Sequence, residues 1–133
     1  MAIQYSVDVR NARLDSLETA IGVSPVLKIY TGTIPATCAD ARTGTVLATL
    51  ILPVDWMLAA SGGIKMKDGN WQDLSADNTG TAGYFSILDS GQTQTHLQGT
   101  VGLSSADMIV DSVNFTAGQS FTVTGFQITS GNA

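Results

Sequence analysis

The side chains of this 133-residue chain that could do chemistry are one imidazole, His96, one thiol, Cys38, and eleven carboxylates. A metal centre built on His96 would have to draw every other ligand from Cys38 or from carboxylates, because such sites need three or four N, S or O donors. His96 stands among Gln94, Gln98 and Thr100, an alternation that reads as a solvated or interface histidine on a polar strand face. Cys38, His96 and an aspartate could meet in space as a nucleophile arrangement, but no local nucleophile signature surrounds Cys38. The acids are Glu18 and ten scattered aspartates, and nothing selects the opposed acid and base that glycoside hydrolysis needs.

Asp68, Asn70, Asp73, Asp77 and Asn78 are dense enough in oxygen to hold calcium. The EF-hand spacing and its closing glutamate are missing, and a turn at Asp68-Gly69 accounts for that pair without a metal. No glycine-rich run has the spacing of a phosphate-cradling loop. Trp56, Trp71 and Tyr84 could form a sugar-stacking platform, or they could be core or subunit-interface anchors. No catalytic, cofactor or metal residue is assigned, and the chain is expected not to be an enzyme.

The elements that would position these residues are mostly strands. Gly, Ser and Thr make up 42 residues while glutamate occurs once, a composition poor in helix formers. Residues 6 to 21 are the exception. Ser6 is the expected N-cap, Asp8 lies in the first turn, Gly22 stops the helix and Pro25 follows. Val7, Leu14, Leu17 and Ile21 form its apolar stripe, which Arg10 shares and Arg13 borders. Arg10 and Arg13 lie toward the N-terminal end and Asp15 and Glu18 toward the C-terminal end, the order a helix dipole disfavours. Either the arginines answer to a partner surface, or Arg10 snorkels at the rim of its own domain.

Beyond the helix, Val26–Thr31 and Val46–Leu52 are apolar runs expected as central strands, joined by a long loop from Gly32 to Thr45. Pro53–Ala60 reads as a short helical turn or bend. Ile64 and Met66 alternate with Lys65 and Lys67 before a hairpin turn at Asp68-Gly69 that leads into Asn70–Leu74. A polar loop over Ser75–Gly83, strands at Tyr84–Asp89, Thr93–Val101 and Met108–Val113, and a last strand at Ser120–Thr129 with a bulge at Gly125 complete the reading. The expected fold is mainly β: an antiparallel β-sandwich or open barrel with one N-terminal α-helix. Residues 1–22 would be an N-terminal helical docking segment and residues 23–133 a single β-sandwich domain.

The net charge of −5 disfavours nucleic acid and anionic membrane as partners. All six basic residues precede position 68, and the remainder carries six acids and no base, so one subunit's basic side could meet another's acidic side. The N-terminal MAIQYSVDVR has no signal-peptide pattern. Val46–Ala60 is too short and too interrupted to cross a bilayer. Free Cys38 suits a reducing cytoplasm, where the sequon at Asn114 would go unused.

Four stretches carry a resemblance: VRNARLDSLETAIG from Val9, VLKIYTG from Val26 with PATCADARTGTVLATLILP after it, DWMLAASGGIK from Asp55, and the ending TGFQITSGNA from Thr124. They resemble a family of small structural proteins of tailed bacteriophages and prophages, with capsid decoration or cement proteins as the best match. The resemblance implies a virion component without enzymatic role, needing no cofactor. It implies a major capsid protein or other virion protein as partner, and a homo-oligomer, for which a trimer is one option. The alternative is a carbohydrate- or receptor-binding module of a head or tail fibre; a hydrolase built on Cys38 and His96 is a distant third. Candidate partner-binding residues are Arg10, Arg13, Leu14, Leu17, Trp56 and Trp71.

Overall fold

The computed structural model describes residues 3–133. Helix α1 (Val7–Ile21) begins at Ser6, whose Oγ accepts the Val9 N–H, and ends at Gly22, whose N–H still donates to the Glu18 carbonyl and whose φ of 93° turns the following chain out of the helix. Leu14 and Ile21 are buried, Leu17 is half-buried and Val7 is exposed, so the inward stripe is narrower than its spacing suggests.

Nine strands follow: β1 (Val26–Thr31), β2 (Val46–Ile51), β3 (Ile64–Met66), β4 (Gln72–Asp73), β5 (Gly80–Leu88), β6 (Thr95–Gly102), β7 (Met108–Val110), β8 (Asn114–Phe115) and β9 (Phe121–Thr129). They form one curled sheet, a half-barrel, in the order β2-β1-β5-β6-β7-β9-β3, with β4 also on β9 and β8 on β5. The molecule is mainly β with one N-terminal helix. Of the two architectures expected, it takes the open barrel. The pairing is mixed, because β6 and β7 run parallel; the short excursion from Gly102 to Met108 returns the chain in its original direction.

Several local expectations are corrected. Val46–Leu52 is not a central strand: β2 lies at the end of the sheet order. Its apolar run survives there because the outer edge is covered by a polar segment. Asp73 Oδ2 accepts the Thr49 N–H, the Asp77 N–H donates to the Leu47 carbonyl, and Asn78 Nδ2 donates to the Val46 carbonyl. Of the helical turn or bend expected over Pro53–Ala60, the chain takes the bend, at Val54 and Asp55, and Met57 then bridges Lys67. Asp68-Gly69 is not a hairpin turn either. β3 and β4 both pair with β9, at Gln127–Thr129 and at Phe121–Thr122, so residues 67–71 are an interruption in one line of chain along β9. The polar loop after β4 ends at Thr79, where β5 begins, and β7 stops at Val110. The break expected at Gly125 is present: Ile109 opposes Gly125 and Val110 opposes Val123, leaving Thr124 as the extra residue.

The concave face holds the core, with Leu27, Ile29, Leu47, Leu50, Phe85, Ile87, Val123 and Phe126 gathered around Trp56 and Trp71. On the convex side the long 32–45 loop folds back over β1, β5 and β6. Arg42 anchors it, donating from Nη1 to Ser86 Oγ and Gln98 Oε1 and from Nη2 to the carbonyls of Thr37 and Asp40. Tyr84, stacked at 4.8 Å on Tyr30, both donates to and accepts from the Thr43 backbone. Both faces of β1 and β5 are thereby covered.

Candidate functional site

Of the six candidate partner-binding residues, three are core residues, which corrects their reading as direct contacts. Trp56 and Trp71 are each 1 % exposed and Leu14 is buried. The indoles lie 6.1 Å apart; Trp56 Nε1 donates to the Gly22 carbonyl and Trp71 Nε1 to that of Asp68. Each large ring thus buries its apolar body and satisfies its one donor. Tyr84, the third member of the imagined sugar platform, is buried as well.

The remaining three, Arg10, Arg13 and Leu17, lie on or beside α1. The residue that fixes this helix to the sheet is Lys65, which the alternation of residues 64–67 presents only as an outward-facing partner of Ile64 and Met66. In β3 the expected polarity is inverted: Lys65 faces inward and is 1 % exposed, while Ile64 and Met66 face outward. Lys65 Nζ donates to Asp15 Oδ1 at 2.7 Å, meets Glu18 Oε1 at 2.9 Å and donates to the Leu58 carbonyl at 2.9 Å, so all three ammonium protons are used. Asp15 Oδ1 also accepts the Ala60 N–H, and Asn11 Oδ1 accepts the Gly63 N–H. The acids placed against the helix dipole therefore have their cation in the sheet. That misplacement, with Asp15 and Glu18 three residues apart on one helix face, was the signal available in the sequence.

Arg10 turns toward its own domain. Its Nη1 lies 3.4 Å from the Ser130 carbonyl, over Gly63, while its Nε and Ser130 Oγ are buried without hydrogen-bond partners among the described residues. Arg13 is exposed, its guanidinium carbon 4.8 Å from the centre of the Tyr5 ring. An open groove of about 380 Å³ runs between α1 and the end of β9, lined by Arg13, Leu14, Leu17, Ile128 and Ser130. A second hollow of about 280 Å³ adjoins it through Ile128 and Thr129, and is lined further by Phe85, Leu97, Asp107 and Phe126.

Most of the carboxylates are spent on the fold. Asp89 accepts from the Thr93 hydroxyl and from the Thr93 and Gln94 amides, which together hold its carboxyl below its ordinary value. His96 Nε2 lies 3.9 Å from Asp89. Asp107 binds the Thr100 amide and hydroxyl, and Asp73 binds the amides of Thr49 and Ser75. Asp77 accepts the Thr49 hydroxyl and Asn78 donates to the Val46 carbonyl, so three of the five oxygen-bearing residues, Asp73, Asp77 and Asn78, are loop staples. Among the described residues no group of three His, Cys, Asp or Glu side chains has metal-holding geometry. Cys38 is half-buried in the 32–45 loop, where Arg42 binds its carbonyl. Among the described residues no helix is long and apolar enough to cross a membrane.

The chain matches no protein-family model, no curated protein and no solved structure.

Proposed function

We propose that this chain is a structural component of a tailed-phage virion, a decoration or cement protein that binds the assembled capsid shell by surface contact and performs no catalysis. The observation that supports this most is where aliphatic side chains lie. Ile51, Val54, Val23, Ile64 and Met66 are between about a third and four-fifths exposed, whereas most of the carboxylates are engaged in turns, loop closures and the Lys65 contact. Ile64 and Met66 project from the convex face of β3 beside the exposed Gln127 and Thr129 of β9. Val23 and Val54 line a shallow cleft beyond the C-terminal end of α1. Apolar groups within a lightly charged surface suit association through repeated, mostly dry contacts. The resemblance of the four sequence stretches to small virion proteins points the same way.

In this reading the partner is the major capsid protein or another virion protein, and the location is the particle. A ligand that binds only the assembled shell stabilises it by mass action. Removing residues 1–21 is no clean test, because it would strip Lys65 of both carboxylates. The test is cosedimentation of the intact chain with emptied capsids. Met66→Glu and Val54→Glu, both at exposed positions, are expected to fold and to lose shell binding; undiminished binding by both would overturn the assignment of these surfaces.

The fibre receptor-binding alternative has lost the stacking residues it named, since Trp56, Trp71 and Tyr84 are all buried.

A further inference from the structure

The half-barrel has a slot between β6 and β9, where the strand that separates them is cut short. β7 lies between β6 and β9, parallel to the first and antiparallel to the second, but it is only three residues long. Its first residue, Met108, opposes Val101 and Phe126, so Thr95–Thr100 of β6 and Gln127–Thr129 of β9 extend past its start with no strand between them. Asp107 closes the slot at that end by accepting the Thr100 N–H.

Backbone directions alternate along a strand. The Thr100 N–H points into the slot, and so, two residues earlier, do the N–H and C=O of Gln98. On β9 the Lys67 N–H donates to the Phe126 carbonyl and the Ser130 N–H to the Gly63 carbonyl, both on the β3 side. Thr129 therefore turns its N–H and C=O to the opposite side, into the slot. The floor is apolar: Phe85, Leu97, Phe126 and Ile128 line it. At the open end it continues into the groove beside α1, where Arg13 has no carboxylate within ion-pair distance among the described residues.

We infer that this slot is a strand-addition site for an extended segment of a partner protein, apolar at alternate positions and carrying an acidic residue where it passes Arg13. The width argues for a single strand, because β7 fills the same interval at the other end. The two facing edges supply main-chain hydrogen bonds and the floor takes every second side chain. The unpaired guanidinium at the mouth and Asp107 at the closed end set the polarity of charge. About four residues, near 13 Å of strand, span it. This inference does not rest on the shell reading.

The probe is a blocked hexapeptide of alternating valine and threonine with aspartate first, added to the full chain and followed by amide hydrogen exchange and titration. The Gln98 and Thr129 amides are expected to exchange freely in the dilute protein and to become protected on saturation. Lysine in place of the peptide's aspartate should weaken binding at least tenfold, and Arg13→Glu should reverse that preference; Arg13 is exposed, so the variant is expected to fold. The inference is overturned if both amides are already protected in the dilute chain, if the peptide protects neither, or if the charge reversal does not change the preference. Protection that instead grows with the concentration of the chain alone would also overturn it, by making a second copy the occupant.

Discussion

Lys65 Nζ lies 2.7 Å from Asp15 Oδ1, and this contact joins α1 to the sheet across fifty residues of sequence. Its three parts differ in exposure: the lysine side chain is 2 % exposed, that of Glu18 23 % and that of Asp15 48 %. Removing the cation leaves carboxylates that water can reach, whereas removing the carboxylates leaves an ammonium that water cannot reach. The double variant Asp15→Asn with Glu18→Gln is therefore expected to lose about 3–5 kcal/mol, as when one side of a buried ion pair is deleted. Lys65→Met should lose clearly less. Urea denaturation midpoints check the order, and equal losses would contradict it.

The same contact sets a pH dependence. Asp15 is held below its ordinary value first by the Lys65 hydrogen bond and then by the Ala60 N–H. The unfolded chain takes up that proton first as pH falls, so the contribution is complete above the unfolded value of 3.8 and is lost as pH drops through the depressed folded value. For Lys65, burial works against the charge but the hydrogen bonds to Asp15 and Glu18 outweigh it, and its value is raised. That contribution is complete below 10.5 and fades as pH rises through the raised value. Melting temperatures should fall at both extremes. Asp15→Asn should flatten the acid limb, and an unchanged limb would contradict the assignment.

Gly63 has a φ of 77°, and a Cβ there would collide with Arg10 Nη1. Gly63→Ala combines backbone strain with that clash and is expected to cost about 1–3 kcal/mol. Adding Arg10→Ala removes the clash but not the strain, so the double variant should recover only part of the loss. Chemical denaturation of all three variants measures the coupling.

Replacing Arg42 by lysine keeps the charge but cannot reproduce the fork that reaches Ser86, Gln98, Thr37 and Asp40 together. A loss of about 1.5–3 kcal/mol is expected, the scale of hydrogen bonds to a charged group. Hydrogen exchange should quicken across residues 32–45 and not in β9.

Trp71→Ala should cost about 3–5 kcal/mol through the cavity left among Trp56, Phe126 and their neighbours. The loss would appear in thermal melts with no ligand present, which separates a core role from a glycan-stacking one.

Much of this architecture was legible in the sequence. The capped helix from Ser6 to Gly22, the strand at Val26–Thr31, the long loop to Thr45 and the bulge near Gly125 all follow from local chemistry, since a cap, an apolar run or a glycine acts within a few residues. Lys65 was not legible in the same way, because its inward direction depends on Asp15 and Glu18, which alternation within β3 does not contain. Asp68-Gly69 failed as a hairpin for a related reason. Turn propensity is satisfied equally by an interruption between two segments that share β9. The apolar run of β2 misled because an irregular polar segment, through the Asp73 and Asn78 side chains and the Asp77 N–H, and not another strand, covers its edge.

The central claim is that this chain is a shell-bound structural protein, and its copy number in particles tests that most directly. Virions from the source that carries the gene would be purified, and the chain quantified by mass spectrometry against the major capsid protein. The account expects a number comparable to that of the capsid subunit. Absence from the particle, or only a dozen or so copies as in a symmetric ring or fibre set, would contradict it.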